Sequence, residues 1–250
     1  KYPLVESSAM ASVLPPKADY KPVLPSKVVT SGALSKAQLE ATIYAGQAHS
    51  ALLPDGRRKG YMCGDGTGVG KGREIAAIIW DNWNQGRKKA MWISQNKGLM
   101  ADAKRDIGDI GFNPDLVIDY GKTKMGEVPK AKQGIMFVTF STLCKKDVEA
   151  KKSRLDPLVD WFGKDFDGVI IFDEAHNMGN ALAVKAERGR TQPSQTALAG
   201  VTLQDSIPNA RIGYFSATGA TELKNYTYAT RLGLWGEGTP FPTGERFVSE

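Results

Sequence analysis

The stretch GYMCGDGTGVGKGREIAAIIWDNW, residues 60–83, decides the fold. A short apolar run, Tyr61-Met62-Cys63, passes into the loop Gly64-Asp65-Gly66-Thr67-Gly68-Val69-Gly70-Lys71-Gly72. A segment with Ile75, Ile78, Ile79 and Trp83 at helical spacing follows. In a glycine-rich strand-to-helix turn, successive backbone N–H groups converge on an anion, because no Cβ obstructs them. The helix that follows presents its positive end to the same anion. Lys71 is placed to reach the β/γ-phosphates of a nucleoside triphosphate. Asp65, Gly66, Thr67, Gly68, Val69, Gly70, Lys71, Gly72 and Arg73 therefore form a candidate ATP loop. It departs twice from the pattern G-x-x-x-x-G-K-[ST]. Asp65 takes the place of the first glycine, and Gly72 takes the Ser/Thr position, which removes the usual hydroxyl ligand of Mg²⁺. Thr67 is a candidate substitute within the loop. The plain alternative is a glycine-rich turn that binds nothing.

Outward from this loop, short apolar runs alternate with helical stretches. The predicted strands are 60–64, 89–94, 115–119, 134–140, 167–173 and 211–216. Runs such as IMFVTF and GVIIF are apolar on both faces, as in a parallel sheet covered by helices on both sides. The expected class is a doubly wound α/β domain, in which ligands bind beyond the carboxyl ends of the strands. Chemistry sits at those ends. The run Gly168–Phe172 delivers Asp173-Glu174-Ala175-His176. Asp173 suits Mg²⁺, directly or through water, and Glu174 suits orienting or deprotonating an attacking water. His176 can link these acids to neighbouring polar groups. The run Arg211–Phe215 ends in Ser216-Ala217-Thr218, whose two hydroxyls suit a relay. Helix capping is the plain alternative for each.

The chain has 250 residues, 41% of them hydrophobic and 24% charged, which excludes a wholly disordered chain. No run approaches about 18 uninterrupted apolar residues, so no membrane span is expected. Two cysteines, Cys63 and Cys144, are too few for a disulfide framework, which suits a reducing compartment. The net charge is +6, and residues 122–154 alone carry nine Lys/Arg against three acids. Such a patch attracts a polyanion, or is simply a solvated lysine face. Residues 1–33 hold five prolines and read as an extended arm or linker. Ser35 and Gln38 then form a capping box for a helix. Cys63 and His49 read as structural residues, and Trp80, Trp83, Trp92 and Trp161 as core. Trp235, in a glycine- and proline-bounded loop, is a candidate contact for nucleic acid or another domain.

The ordered trio GKG, DEAH and SAT resembles the first RecA-like lobe of a superfamily 2 helicase or translocase. More closely, GDGTGVGKGREIA, DEAHNMGNA and SATGATELKNYTYATRLGLWGEGTPF resemble the strawberry notch family, in its bacterial or phage branch. The likeness covers residues 34–250, and ALSKAQLEATIYAGQAH resembles the segment ahead of that family's P-loop. It implies an ATP- and Mg²⁺-dependent hydrolase of the DEAH-box type acting on nucleic acid, DNA in the first instance. It implies adenine reading by Gln38 and coupling of hydrolysis to movement by Ser216 and Thr218. It also implies backbone contacts from Ser94, Gln95, Asn96, Thr139 and Ser141. The expected location is cytoplasmic, or nuclear in a eukaryote. After Thr218 only 32 residues remain, too few for the second lobe that carries arginine fingers. The expectation is a piece of a longer protein, with the second lobe in the same chain or in trans. Turnover by the chain alone is then weak, since such fingers contribute on the order of 10³–10⁵ in rate. A non-catalytic scaffold that retains the fold is the alternative, and a P-loop kinase a more distant one.

Overall fold

The computed structural model describes residue 14, residues 16–66, 68–182, 192–217 and 223–249, and the backbone of 185–186 and 189–190. The six apolar runs form one sheet: β1 Tyr61–Cys63, β2 Lys89–Ser94, β3 Val117–Asp119, β4 Gly134–Thr139, β5 Val169–Asp173 and β6 Arg211–Phe215. Their order is β1-β6-β5-β2-β4-β3, and every pairing is parallel. The helices are α1 Ser26–Thr30, α2 Lys36–His49, α3 Lys71–Asn84, α4 Leu99–Asp109, α5 Phe140–Leu143, α6 Leu155–Phe162, α7 Gln195–Ser206 and α8 Gly244–Ser249. Two short antiparallel ribbons, Lys146–Asp147 with Lys152–Ser153 and Lys185–Ala186 with Gly189–Arg190, lie outside the sheet.

Both faces of the central strands are buried, which is why they read as unbroken apolar runs. Ala90, Trp92, Ile135, Phe137, Val169 and Ile171 pack with Ile75, Ile78 and Ile79 of α3 and with Ala103 and Ile107 of α4. Their strand neighbours Met91, Ile93, Met136, Val138, Ile170 and Phe172 pack with Leu158 and Trp161 of α6 and Leu203 of α7. Burying each α3 isoleucine contributes about 1.5–3 kcal/mol. Among the described residues, no helix is long and apolar enough to cross a membrane.

Residues 16–25 lie against α2 and α3. Tyr20 Oη donates to Asp81 Oδ2 at 2.7 Å, and Val23 N donates to Asp81 Oδ1 at 2.6 Å. Asn84 Nδ2 donates to Val23 O at 2.7 Å, so α3 holds this segment by both its donors and its acceptors. Burial pushes the Tyr20 hydroxyl up to about 12. The Ser35 capping box forms as its spacing predicts, with Gln38 N donating to Ser35 Oγ and Ser35 N donating to Gln38 Oε1.

A buried neutral histidine and a buried charged arginine brace the lobe away from the glycine loop. His49, at the end of α2, pairs through Nε2 with Ile212 O at 2.9 Å. Its burial lowers its pKa to about 3, so the ring is neutral. Arg231 is fully buried, and its guanidinium donates to the carbonyls of Arg58, Gln204, Ile207, Pro208 and Ala210. It ties the segment after β6 to α7 and to the turn before β1.

Candidate nucleotide site

The chemistry-bearing residues line one edge of the sheet. The glycine loop leaves β1, Ser94-Gln95-Asn96 end β2, Thr139 ends β4, Asp173 ends β5 and Ser216 follows β6. Because all six strands are parallel, all these ends lie on the same side.

Gly68 and Gly70 hold φ of +92° and +90°, left-handed values that favour glycine. Gly70 is the N-cap of α3, so the loop turns directly into the helix N-terminus. Lys71 Nζ donates to Asp65 O at 3.0 Å and Gly66 O at 3.3 Å, folding the ammonium over the start of the loop. Thr67 lies outside the described residues. Arg73, expected in the nucleotide loop, points to α4 and pairs with Asp109 at 2.7 Å. Gln38 is almost fully buried, with Oε1 on the Ser35 backbone and Nε2 donating to Val69 O at 2.9 Å. Its carboxamide is committed to bracing the loop rather than to a base. The residue expected to read adenine thus bonds to the Ser35 backbone and to Val69 O in this structure.

Beneath the loop, one ligand atom each from Cys63, Asp65 and Glu74 falls within 4.8 Å of the others. Cys63 Sγ donates to Glu74 Oε2 at 3.3 Å, and Glu74 Oε1 has no hydrogen-bond partner among the described residues. Burial pushes the Glu74 carboxyl up to about 7, with the Asp65 carboxylate beside it adding to the rise. Burial likewise pushes the Cys63 thiol up, as suits a buried structural cysteine.

The acids after β5 are held by β2 and by the segment after β6. Asp173 Oδ2 accepts from Trp92 Nε1 and from Ser94 Oγ, each at 3.3 Å. Burial raises the Asp173 carboxyl above its ordinary value. Glu174 takes a left-handed backbone, φ 56°, which is uncommon for a non-glycine residue and marks a position held by its surroundings. Its Oε2 lies 3.3 Å from His176 Nδ1, and that nitrogen lies 2.9 Å from Ser216 Oγ. Thr218 lies outside the described residues. Asp173 and its neighbours offer oxygen donors, which fit a hard divalent cation such as Mg²⁺.

Ser94 corrects the sequence reading. It was expected to touch a nucleic-acid backbone, yet it is fully buried and donates to Asp173. A strand residue facing the core cannot also face a ligand groove. Gln95, Asn96 and Ser141 are exposed, and Thr139 caps α5 while its Oγ1 lies 3.0 Å from Ser141 Oγ. Trp235 packs on Phe247 at 5.4 Å between ring centres. Asp106, which the sequence reading did not single out, stands against the loop. A Cβ built on Gly72 would fall 1.9 Å from Asp106 Oδ2.

A parallel sheet, a glycine loop at a helix N-terminus and paired acids at a neighbouring strand end define a RecA-like P-loop NTPase domain. The family described as P-loop containing NTP hydrolase pore-1 matches residues 1–250. The chain belongs to that family. It is 44% identical to strawberry notch homolog 1 of Gallus gallus and of Homo sapiens, and to FORGETTER 1 of Arabidopsis thaliana, over 98% of its own length in each case. It spans 20%, 18% and 19% of those proteins, about a fifth of their length. Two solved structures share the fold. One is a Sulfolobus solfataricus SWI2/SNF2 ATPase core in complex with dsDNA (TM-score 0.57, 13% identity, 86% of this chain and 38% of that one). The other is the DUF1998 helicase MrfA bound to DNA and AMPPNP (TM-score 0.53, 17% identity, 88% and 30%).

Proposed function

We propose that this domain is the ATP-binding first lobe of a nucleic-acid-dependent translocase or helicase. The observation that carries the reading is the cluster at His176, whose Nδ1 is hydrogen-bonded to Ser216 Oγ after β6 and lies 3.3 Å from Glu174 Oε2 of the acid box. A simple nucleotide-binding fold needs the glycine loop. It does not need a link from its water-activating acid to a neighbouring strand.

The chain's own residues divide the work. Backbone N–H groups from Gly66 to Gly72 cradle the phosphates, and Lys71 swings from the Asp65 and Gly66 carbonyls to the outer phosphates. Glu174 orients or deprotonates the attacking water, with His176 Nδ1 3.3 Å from its carboxylate. Asp173, fixed by Trp92 and Ser94, is the cation ligand. A bound Mg²⁺ neutralises charge on the outer phosphates. Ser216 reports the state of the acid box to whatever the segment after β6 touches.

Gln95, Asn96, Thr139 and Ser141 present amides and hydroxyls on the same edge, suited to phosphate contacts without sequence preference. Lys122, Lys124, Lys145, Lys146, Lys151 and Lys152 are exposed in the basic segment that follows β3 and β4. The partner is a nucleic acid, taken as DNA because both fold neighbours hold DNA in their structures. A second RecA-like lobe completes the motor, in the same longer protein or in trans.

Nucleotide binding is tested by heat unfolding. ATP with Mg²⁺ at about 100 times its Kd should stabilise the domain by about 2.7 kcal/mol. The protection should vanish in Lys71→Ala. Equal protection of that variant would contradict the assignment of the loop.

A further inference from the structure

Gly72 stands where G-K-[ST] loops carry a hydroxyl, and its side of the backbone is already filled. A Cβ there would meet Asp106 Oδ2 at 1.9 Å and Asp106 Cγ at 2.8 Å, closer than any real contact. No residue with a side chain fits at 72 unless Asp106 moves. A serine or threonine hydroxyl, one bond beyond that Cβ, would occupy the space of the Asp106 carboxylate.

The stretch of α4 that carries Asp106 is fixed by core packing, while the carboxylate itself is the free end of a short side chain. Ala103 and Ile107 of α4 are buried in the core, which fixes the rotation of the helix. Arg73, next to Gly72, pairs with Asp109 on the same helix at 2.7 Å. Arg105 Nη2 lies 3.7 Å from Asp106 Oδ1, on the oxygen away from Gly72. Among the described residues no hydrogen bond reaches Oδ2. Burial raises the Asp106 carboxyl above its ordinary value, against the opposing pull of Arg105 and Arg73.

We propose that Asp106 supplies, from α4, the oxygen ligand for the nucleotide-bound divalent cation that a hydroxyl at position 72 gives in other P-loops. Gly72 and Asp106 are then two halves of one exchange: the glycine makes room, and the aspartate fills it with a harder, charged donor. The inference rests on the ATP reading above. It resolves how the cation is held in a loop whose lysine is followed by glycine.

The test is nucleotide affinity, not turnover, measured with a fluorescent ATP analogue in excess Mg²⁺ and in EDTA. The wild-type domain should bind at least about tenfold more tightly with Mg²⁺. Asp106→Asn should lose most of that gain while keeping its affinity in EDTA. Gly72→Ser should bind poorly, because its Cβ meets Asp106. The double variant Gly72→Ser/Asp106→Ala should recover the Mg²⁺ gain to within about threefold, since close pairs are non-additive. Counting bound Mn²⁺ by EPR in the same complexes gives a second reading. If Asp106 only complements the N-terminus of α3, its loss changes stability and both affinities alike. An unchanged Mg²⁺ gain in Asp106→Asn overturns the proposal while leaving the ATP reading intact. If the wild type shows no nucleotide binding that Lys71→Ala abolishes, the ATP reading fails and this inference fails with it.

Discussion

His176 Nδ1 lies 2.9 Å from Ser216 Oγ, so a single hydrogen bond joins the acid box after β5 to the segment after β6. The two strands are adjacent and in parallel register, Phe215 opposite Asp173, which brings the next residues of each within reach. Glu174 Oε2 approaches the same nitrogen at 3.3 Å. One imidazole thus touches a carboxylate of the acid box and the Ser216 hydroxyl at once.

Removing that hydroxyl should separate coupling from binding. Ser216→Ala should leave ATP affinity within about twofold and lower nucleic-acid-stimulated turnover on the order of tenfold, because Ser216 acts through His176 rather than on the reacting water. Steady-state kinetics beside nucleotide titration checks this. Wild-type stimulation in the variant would remove Ser216 from the path.

Arg231 is a brace, satisfying five backbone carbonyls in the interior. Its burial lowers its pKa to about 10 without neutralising it at pH 7. Arg231→Met should destabilise the domain by about 3–5 kcal/mol, because several buried acceptors lose their donor at once. At about 2–4 °C per kcal/mol for a chain of this size, melting should fall on the order of 10 °C. Circular dichroism measures the shift, and a fall of under about 2 °C would contradict the structural role.

His49 sets an acid limit. Its folded pKa of about 3 lies below the ordinary value of about 6.5, so the unfolded chain takes up the proton first as pH drops. Stability from the neutral ring is fully present above about pH 6.5 and declines toward pH 3, by about 1.4 kcal/mol per unit. Glu74 acts in the opposite sense. Its folded carboxyl, at about 7, binds a proton before the unfolded one, so its ionisation lowers stability as pH rises from about 4.3 to 7. Denaturant titrations across pH 4–7 should show a shallower acid loss in His49→Gln. They should show a steeper net rise with pH in Glu74→Gln. The reverse pattern would contradict both assignments.

The sheet was legible because its strands are buried on both faces, so each appears as a short apolar run between polar turns. All six runs became the six strands, with no end shifted by more than two residues and Lys89–Ser94 matched at both ends. The glycine loop and acid box were legible because their chemistry is local in sequence. What depends on distant contacts was not. Ser94 follows a strand pattern that fits either a loop contact or a buried acid partner, and only the adjacency of β2 and β5 decides for Asp173. Gln38 bridges its own cap and the loop, a contact across about 30 positions with no local signature. Asp106 reads as one acid among several on an amphipathic helix. Its closeness to Gly72 comes from the packing of α4 on α3, and the missing hydroxyl was the one available hint. The expected bacterial or phage branch stays an expectation, beside curated relatives from animals and a plant.

The central claim is that this edge hydrolyses ATP in response to nucleic acid. The most direct measurement is ATP turnover by the purified domain, with and without single- and double-stranded DNA, beside Lys71→Ala and Glu174→Gln. The account predicts slow turnover that rises with DNA and is lost in both variants, with nucleotide binding kept in Glu174→Gln. Turnover unaffected by either substitution would contradict it. So would tight nucleotide binding without hydrolysis when DNA and a second RecA-like lobe are both supplied, which would make the domain a scaffold.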